Sequence, residues 1–112
     1  MPLSDACMPE PPDEADDSER WMVVKGRRWR RTDPILPSDL AEALKSHLGR
    51  GRSAVRTAKM RDNPAAVRSA RRRVDLAKHG LGERGPKWWE DDEPARLRRA
   101  REALEVLDHL GE

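Results

Sequence analysis

The stretch Trp21–Pro37, WMVVKGRRWRRTDPILP, decides the fold. Trp21-Met22-Val23-Val24 is a short β-prone run, and Lys25-Gly26 supplies the glycine that a tight turn needs. Arg27 to Thr32 alternates weakly about Trp29. A two-residue loop at Lys25-Gly26 fits a hairpin, because glycine tolerates the positive φ of such turns. That loop pairs Val24 with Arg27, Val23 with Arg28, Met22 with Trp29 and Trp21 with Arg30. Met22, Val24 and Trp29 then share one face, and Trp21, Val23, Arg28 and Arg30 share the other. Two strands alone are marginal in water. The expectation is therefore that Met22, Val24 and Trp29 form a covered structural face. Trp21, with Arg30 against its ring, and Arg28 would then be left for a partner.

Asp33-Pro34 and Leu36-Pro37 break the strand, and helical periodicity follows. The first helix is expected over residues 38–61, with Ser38 as N-cap and Leu40, Leu44, Leu48, Gly51, Val55 and Ala58 as its stripe. Gly49 and Gly51 weaken its middle. Either Gly51 admits a close neighbour, or it is merely tolerated, or the helix breaks there. Asn63-Pro64 restarts a helix over 64–79, with Asn63 as cap, a stripe of Val67, Ala70, Val74 and Ala77, and Gly80 just past its end. The short link implies an antiparallel pair. Residues 80–92 read as a Trp-Trp loop in which one ring packs inward, Trp88 being assigned the structural role. A third helix is expected over 93–110, opened by Asp91-Asp92-Glu93-Pro94. The fold class is thus an α-rich α+β: an N-terminal two-stranded β-hairpin packed on an antiparallel helix pair, plus a C-terminal helix.

A chain of 112 residues sets one domain as the expectation. The net charge of +2 hides blocks of opposite sign. Residues 1–19 hold seven acids and no base, whereas residues 20–61 hold twelve bases and three acids. The acidic, proline-rich residues 1–19 are expected to be a disordered tail, and residues 20–112 a single small domain. Such a tail is either solubilising only or competes with an anionic partner for the basic body. The lone Cys7 excludes an internal disulfide. No secretory signal or membrane-spanning run occurs, so the chain is expected to be cytoplasmic and not inserted in a membrane.

No nucleophile elbow, phosphate loop, finger or helix-turn-helix is present. Antiparallel pairing brings His47 and His79 level, with Asp75 as the nearest third ligand, but ordinary boundary histidines explain them better than a metal. The Gly82-x-x-Gly85 spacing is similar to a backbone-clamping loop of RNA-binding domains, yet the three-stranded sheet such domains need is missing. What remains is basic surface: Arg28 and Arg30 beside Trp21, Arg52 and Arg56 on the first helix, Arg71 and Arg72 on the second. Arginine beside tryptophan suits an acidic protein partner, or phosphates and bases. The expectation is a non-enzymatic binding or adaptor module, without cofactor or metal, for an acidic protein partner. The alternative is a non-specific nucleic-acid-binding protein. The hairpin edge leaves room for a homodimer.

The combination of GRRWRRTDPILP (26–37), the helix from Leu40, RRRVDLAKHGLGERG (71–85) and KWWE (87–90) resembles a small actinobacterial family of uncharacterised proteins. Its members are often labelled "biopolymer transporter Tol". The resemblance covers roughly Trp21 to Glu90 and rests on the tryptophans and the GERG…WWE ending. It implies no established activity.

Overall fold

Two strands and three helices follow one another in the order the sequence predicts. The computed structural model describes residues 20–110, so the tail expected over 1–19 lies outside the described residues. Strand β1 spans Trp21–Val24 and β2 spans Arg27–Arg30. Helix α1 spans Ser38–Met60, α2 Pro64–Leu81 and α3 Glu93–Leu110, with a single 3-10 turn at Trp88–Glu90. The one domain expected over 20–112 divides into two compact units at Arg31–Thr32.

The hairpin unit has the predicted register, Trp21 opposite Arg30 through Val24 opposite Arg27. Lys25 at φ 53° and Gly26 at φ 80° make a two-residue loop with both φ positive, which matches the right-handed twist of the strands. The Arg31 N–H donates to the Arg20 carbonyl at 2.7 Å and extends the pairing. Met22, Val24 and Trp29, which share one face by this register, are 37%, 45% and 37% exposed. Arginine side chains lie over both of its rings.

In the helical unit, α1 and α2 form the antiparallel pair and α3 packs chiefly on α2. The core joins Leu44 and Leu48 of α1, Ala77 and Leu81 of α2, and Ala100, Ala103 and Leu107 of α3, with Leu36 from the entering segment. The interior is made of leucine and alanine, as a chain without phenylalanine or tyrosine requires. Small residues therefore set how closely the helices approach. A Cβ at Gly51 would stand 2.8 Å from Val74 Cγ2 and 3.2 Å from the Val74 nitrogen, so α2 crosses α1 directly over Gly51. That decides the open question at this glycine, and α1 runs unbroken through it.

Two helix ends differ from expectation. Ser38 is the first residue of α1, and Pro37 is its cap, with no side-chain capping bond. Pro37 is extended at ψ 147° and its carbonyl already accepts from Ala41, which moves the boundary one residue earlier. Helix α2 runs past Gly80 to Leu81, and Gly82 at φ 82° takes the left-handed position. The Gly82 and Glu83 N–H groups close the end on the His79 and Lys78 carbonyls, the double bond of a Schellman motif. Gly80 serves packing instead: a Cβ there would lie 2.9 Å from both Ala103 Cβ and Leu44 Cδ2. Asn63 caps α2 as predicted, accepting from the Ala66 N–H at 3.1 Å.

Two polar knots tie this unit. Asp33 is 3% exposed, and its carboxylate takes a two-pronged ion pair from Arg96, with Arg96 Nε at 2.9 Å from Oδ2. The same carboxylate accepts the Ile35 N–H, and the Asp33 N–H donates to the Leu81 carbonyl. Arg96 in turn lies 5.2 Å over the Trp88 ring. Trp88 is buried and meets Trp89 edge-to-face at 5.1 Å, which decides between the two rings of this pair. The hydrogen bonds with Asp33 hold the Arg96 guanidinium above its ordinary pKa. The second knot is His47, 5% exposed on α1, between Arg73 of α2 and Asp108 of α3.

Candidate functional site

The hairpin concentrates charge because arginines flank Trp29 on both sides and nothing acidic intervenes. Residues 20–31 hold six bases and no acid. The Arg28 guanidinium lies 4.4 Å over the Trp21 ring, and that of Arg27 5.1 Å over the Trp29 ring. The sequence placed Arg30 on Trp21 because it is directly opposite. Arg28 reaches the ring from the diagonal position on the same face, within range of a long side chain. Arg31 Nε donates to the Trp21 carbonyl at 3.2 Å. Trp21 is half-buried, while Arg28 is exposed and Arg30 half-buried. The hairpin therefore carries an arginine-stacked tryptophan on each of its faces.

The helical unit has its own basic face. Lys45, Arg52, Arg56 and Lys59 recur at helical spacing on α1, on the side away from His47. Across the seam, Arg68 and Arg71 of α2 share a shallow groove of about 390 Å³ with Lys59 and Val67. Lys78 joins the same face one helix over. Its ammonium is pushed below the ordinary lysine range by burial first, and then by the like charges of Arg84 and Arg52. Arg84 is bonded to Asp75 at 2.7 Å, and the Glu83 carboxylate offsets part of the like-charge effect on Lys78. Arg52 and Arg56 lie on this face of α1, and Arg71 shares the groove with Lys59. Arg72, one position round α2 from Arg71, falls on another side of the helix.

The histidines do not meet. His47 faces α3, with Nε2 2.9 Å from Asp108 Oδ1 and Nδ1 3.0 Å from Arg73 Nη1. His79 sits on the far side of α2, bonded to the Asp75 carbonyl oxygen at 3.1 Å. Among the described residues no group of three or more histidine, cysteine or acidic side chains is placed to hold a metal ion. The Gly82-x-x-Gly85 loop is structural. A Cβ on Gly82 would meet Trp88 and Asp33, and one on Gly85 would stand 2.7 Å from the His79 ring.

Sequence reasoning missed Lys78 and the two knots. A lysine at the edge of an apolar stripe has no mark of its own, and its arginine neighbours come from α1 and from the loop after α2. Asp33 carried one usable signal: an aspartate before Pro34 favours a turn closed by its own carboxylate. Among the described residues no helix is long and apolar enough to cross a membrane. No protein-family model, curated protein or solved structure matches the chain.

Proposed function

We propose that the protein is a non-enzymatic, cytoplasmic binding module that recognises an acidic protein partner through its arginine–tryptophan hairpin. The observation that carries this reading is the exposed ribbon with six bases and no acid, each ring overlaid by a guanidinium. Stacking fixes the guanidinium plane, and a fixed planar fork is what two-pronged carboxylate recognition needs. The basic face of α1 and α2 adds long-range attraction for the same partner.

A second reading, non-specific nucleic-acid binding, is favoured by one feature: a two-stranded ribbon is of a size that the DNA major groove admits. A salt titration separates the two. A glutamate-rich peptide, mixed duplex DNA and mixed RNA are each titrated at two salt concentrations. Preference for the peptide, weakened in Arg28→Lys, which keeps charge but loses the fork, supports the acidic-protein reading. Tighter binding of DNA or RNA that falls steeply with salt establishes the second reading. No binding of any probe at low salt refutes both. Light scattering of the chain alone reports whether ribbon edges pair two copies.

A further inference from the structure

Helix α3 covers only part of the seam between α1 and α2. Its seat ends at Arg73, which bonds His47 and also donates to the Leu110 carbonyl at 3.2 Å, closing the last turn of α3. Residues 47 and 54 of α1 and its C-cap Arg61 are spaced by seven, as are residues 80, 73 and 66 of α2, so each set keeps to one side of its helix. The side that receives α3 at His47 and Gly80 therefore runs on past Arg73 toward the α1–α2 turn. There it forms a groove of about 670 Å³.

The groove has an alanine floor, Ala54 and Ala58 from α1 and Ala66 and Ala70 from α2. Ala58 and Ala70 are each 5% exposed. A floor without bulk lets another backbone come within about 8 Å, the short end of helix–helix distances. Arg50 of α1 and its C-cap Arg61 stand at its two ends, eleven residues apart, which is about 16 Å or three helical turns. Both are exposed, and neither is in an ion pair among the described residues. Between them Ser53, Thr57 and Ser69 offer hydroxyls.

We propose that this groove docks a three-turn helix of a partner protein, with small residues along its buried stripe and an acid at each end. The inference rests on the binding-module reading but uses a surface on the other side of the seam from Arg52 and Arg56. The α3 helix of a second copy fits poorly, because its outer strip mixes Arg98 and Arg101 with Glu102 and Glu105. Nucleic acid presents its charge on a flexible backbone with no small apolar stripe to lay on the alanines.

The probe is a synthetic, side-chain-bridged helix of about 16 residues, long enough to span three turns, with an alanine stripe and glutamates at both ends. Its all-glutamine analogue is the control. The expected result is saturable shifts of the Ala54, Ala58, Ala66 and Ala70 methyl resonances. Affinity should fall at least about tenfold in the double variant Arg50→Gln, Arg61→Gln and in Ala54→Leu, which fills an exposed part of the groove. Circular dichroism verifies that each variant is folded. The double variant Arg52→Gln, Arg56→Gln should bind the probe as the wild type does, while weakening the glutamate-rich peptide used above. The inference is overturned if the probe shifts none of the four alanines, if the glutamine analogue binds equally, or if Ala54→Leu leaves binding intact. A concentration-dependent dimer abolished by Ala54→Leu would assign the groove to a second copy and overturn it too, as would duplex DNA shifting the same alanines.

Discussion

Three glycines in the helix pair differ in what surrounds them, and alanine substitution separates the packing from the propensity. In an exposed helix interior, glycine to alanine gains about 1 kcal/mol. At Gly49 a Cβ meets nothing within 4 Å, so Gly49→Ala should realise that gain in full. At Gly51 the new Cβ stands 2.8 Å from Val74 Cγ2, 3.2 Å from the Val74 nitrogen and 3.4 Å from the Ala70 carbonyl oxygen. The valine methyl can rotate away, but the backbone of α2 cannot. Overpacking of this kind costs roughly 1–3 kcal/mol. Set against the same gain, the net is a loss of up to about 2 kcal/mol. At Gly80 both near atoms belong to side chains, yet one is the Ala103 Cβ, fixed to the α3 backbone, so the loss should be similar. Urea unfolding followed at 222 nm gives all three values. A shift of about 1 kcal/mol corresponds to roughly 4–8 °C in Tm for a unit of this size. If Gly51→Ala stabilises as much as Gly49→Ala, α2 does not cross α1 at that point and the close-packed seam is wrong.

Removing one side of the Asp33–Arg96 pair, by Asp33→Ala or Arg96→Met, leaves a buried charge without its partner and should cost about 3–5 kcal/mol by the same unfolding assay; a loss below about 1 kcal/mol would show that the pair is solvated. Arginine can only donate, so His47 Nδ1 must accept from Arg73 and Nε2 must carry the proton given to Asp108. Nitrogen chemical shifts of the imidazole test this tautomer, and a protonated Nδ1 in the neutral ring contradicts the network. Lys78 is pushed below 10.5 by burial and by Arg84 and Arg52, so its charged form opposes folding. Between its folded pKa and 10.5 the unfolded chain holds more protons, and stability rises with pH across that window. Lys78→Met should therefore stabilise near neutrality, with an advantage that narrows as pH approaches 10.5; an advantage that widens reverses the sign and refutes the assignment.

What the sequence by itself determined lies within a few residues of its cause. The Lys25-Gly26 loop fixes two positive φ angles, and with them the whole register of the ribbon. Asn63-Pro64 starts α2, because a side-chain acceptor and a missing N–H act on the first turn alone. The stripe of Leu44, Leu48, Gly51 and Ala58 announces the buried side of α1, because period and burial go together. Tertiary structure decided whatever depends on how three helices meet. Gly80 and Gly82 are two residues apart and both fit a helix end. Only the closeness of Leu44 and Ala103 gives the first to packing and leaves the second as the cap. Asp33 and Arg96 stand 63 residues apart, and His47 and Asp108 stand 61 apart. Neither pairing has a local signature, since each is made by how segments distant in sequence pack on α3. The opening hairpin lies wholly on the first side of this division, since its pairing was written in the turn.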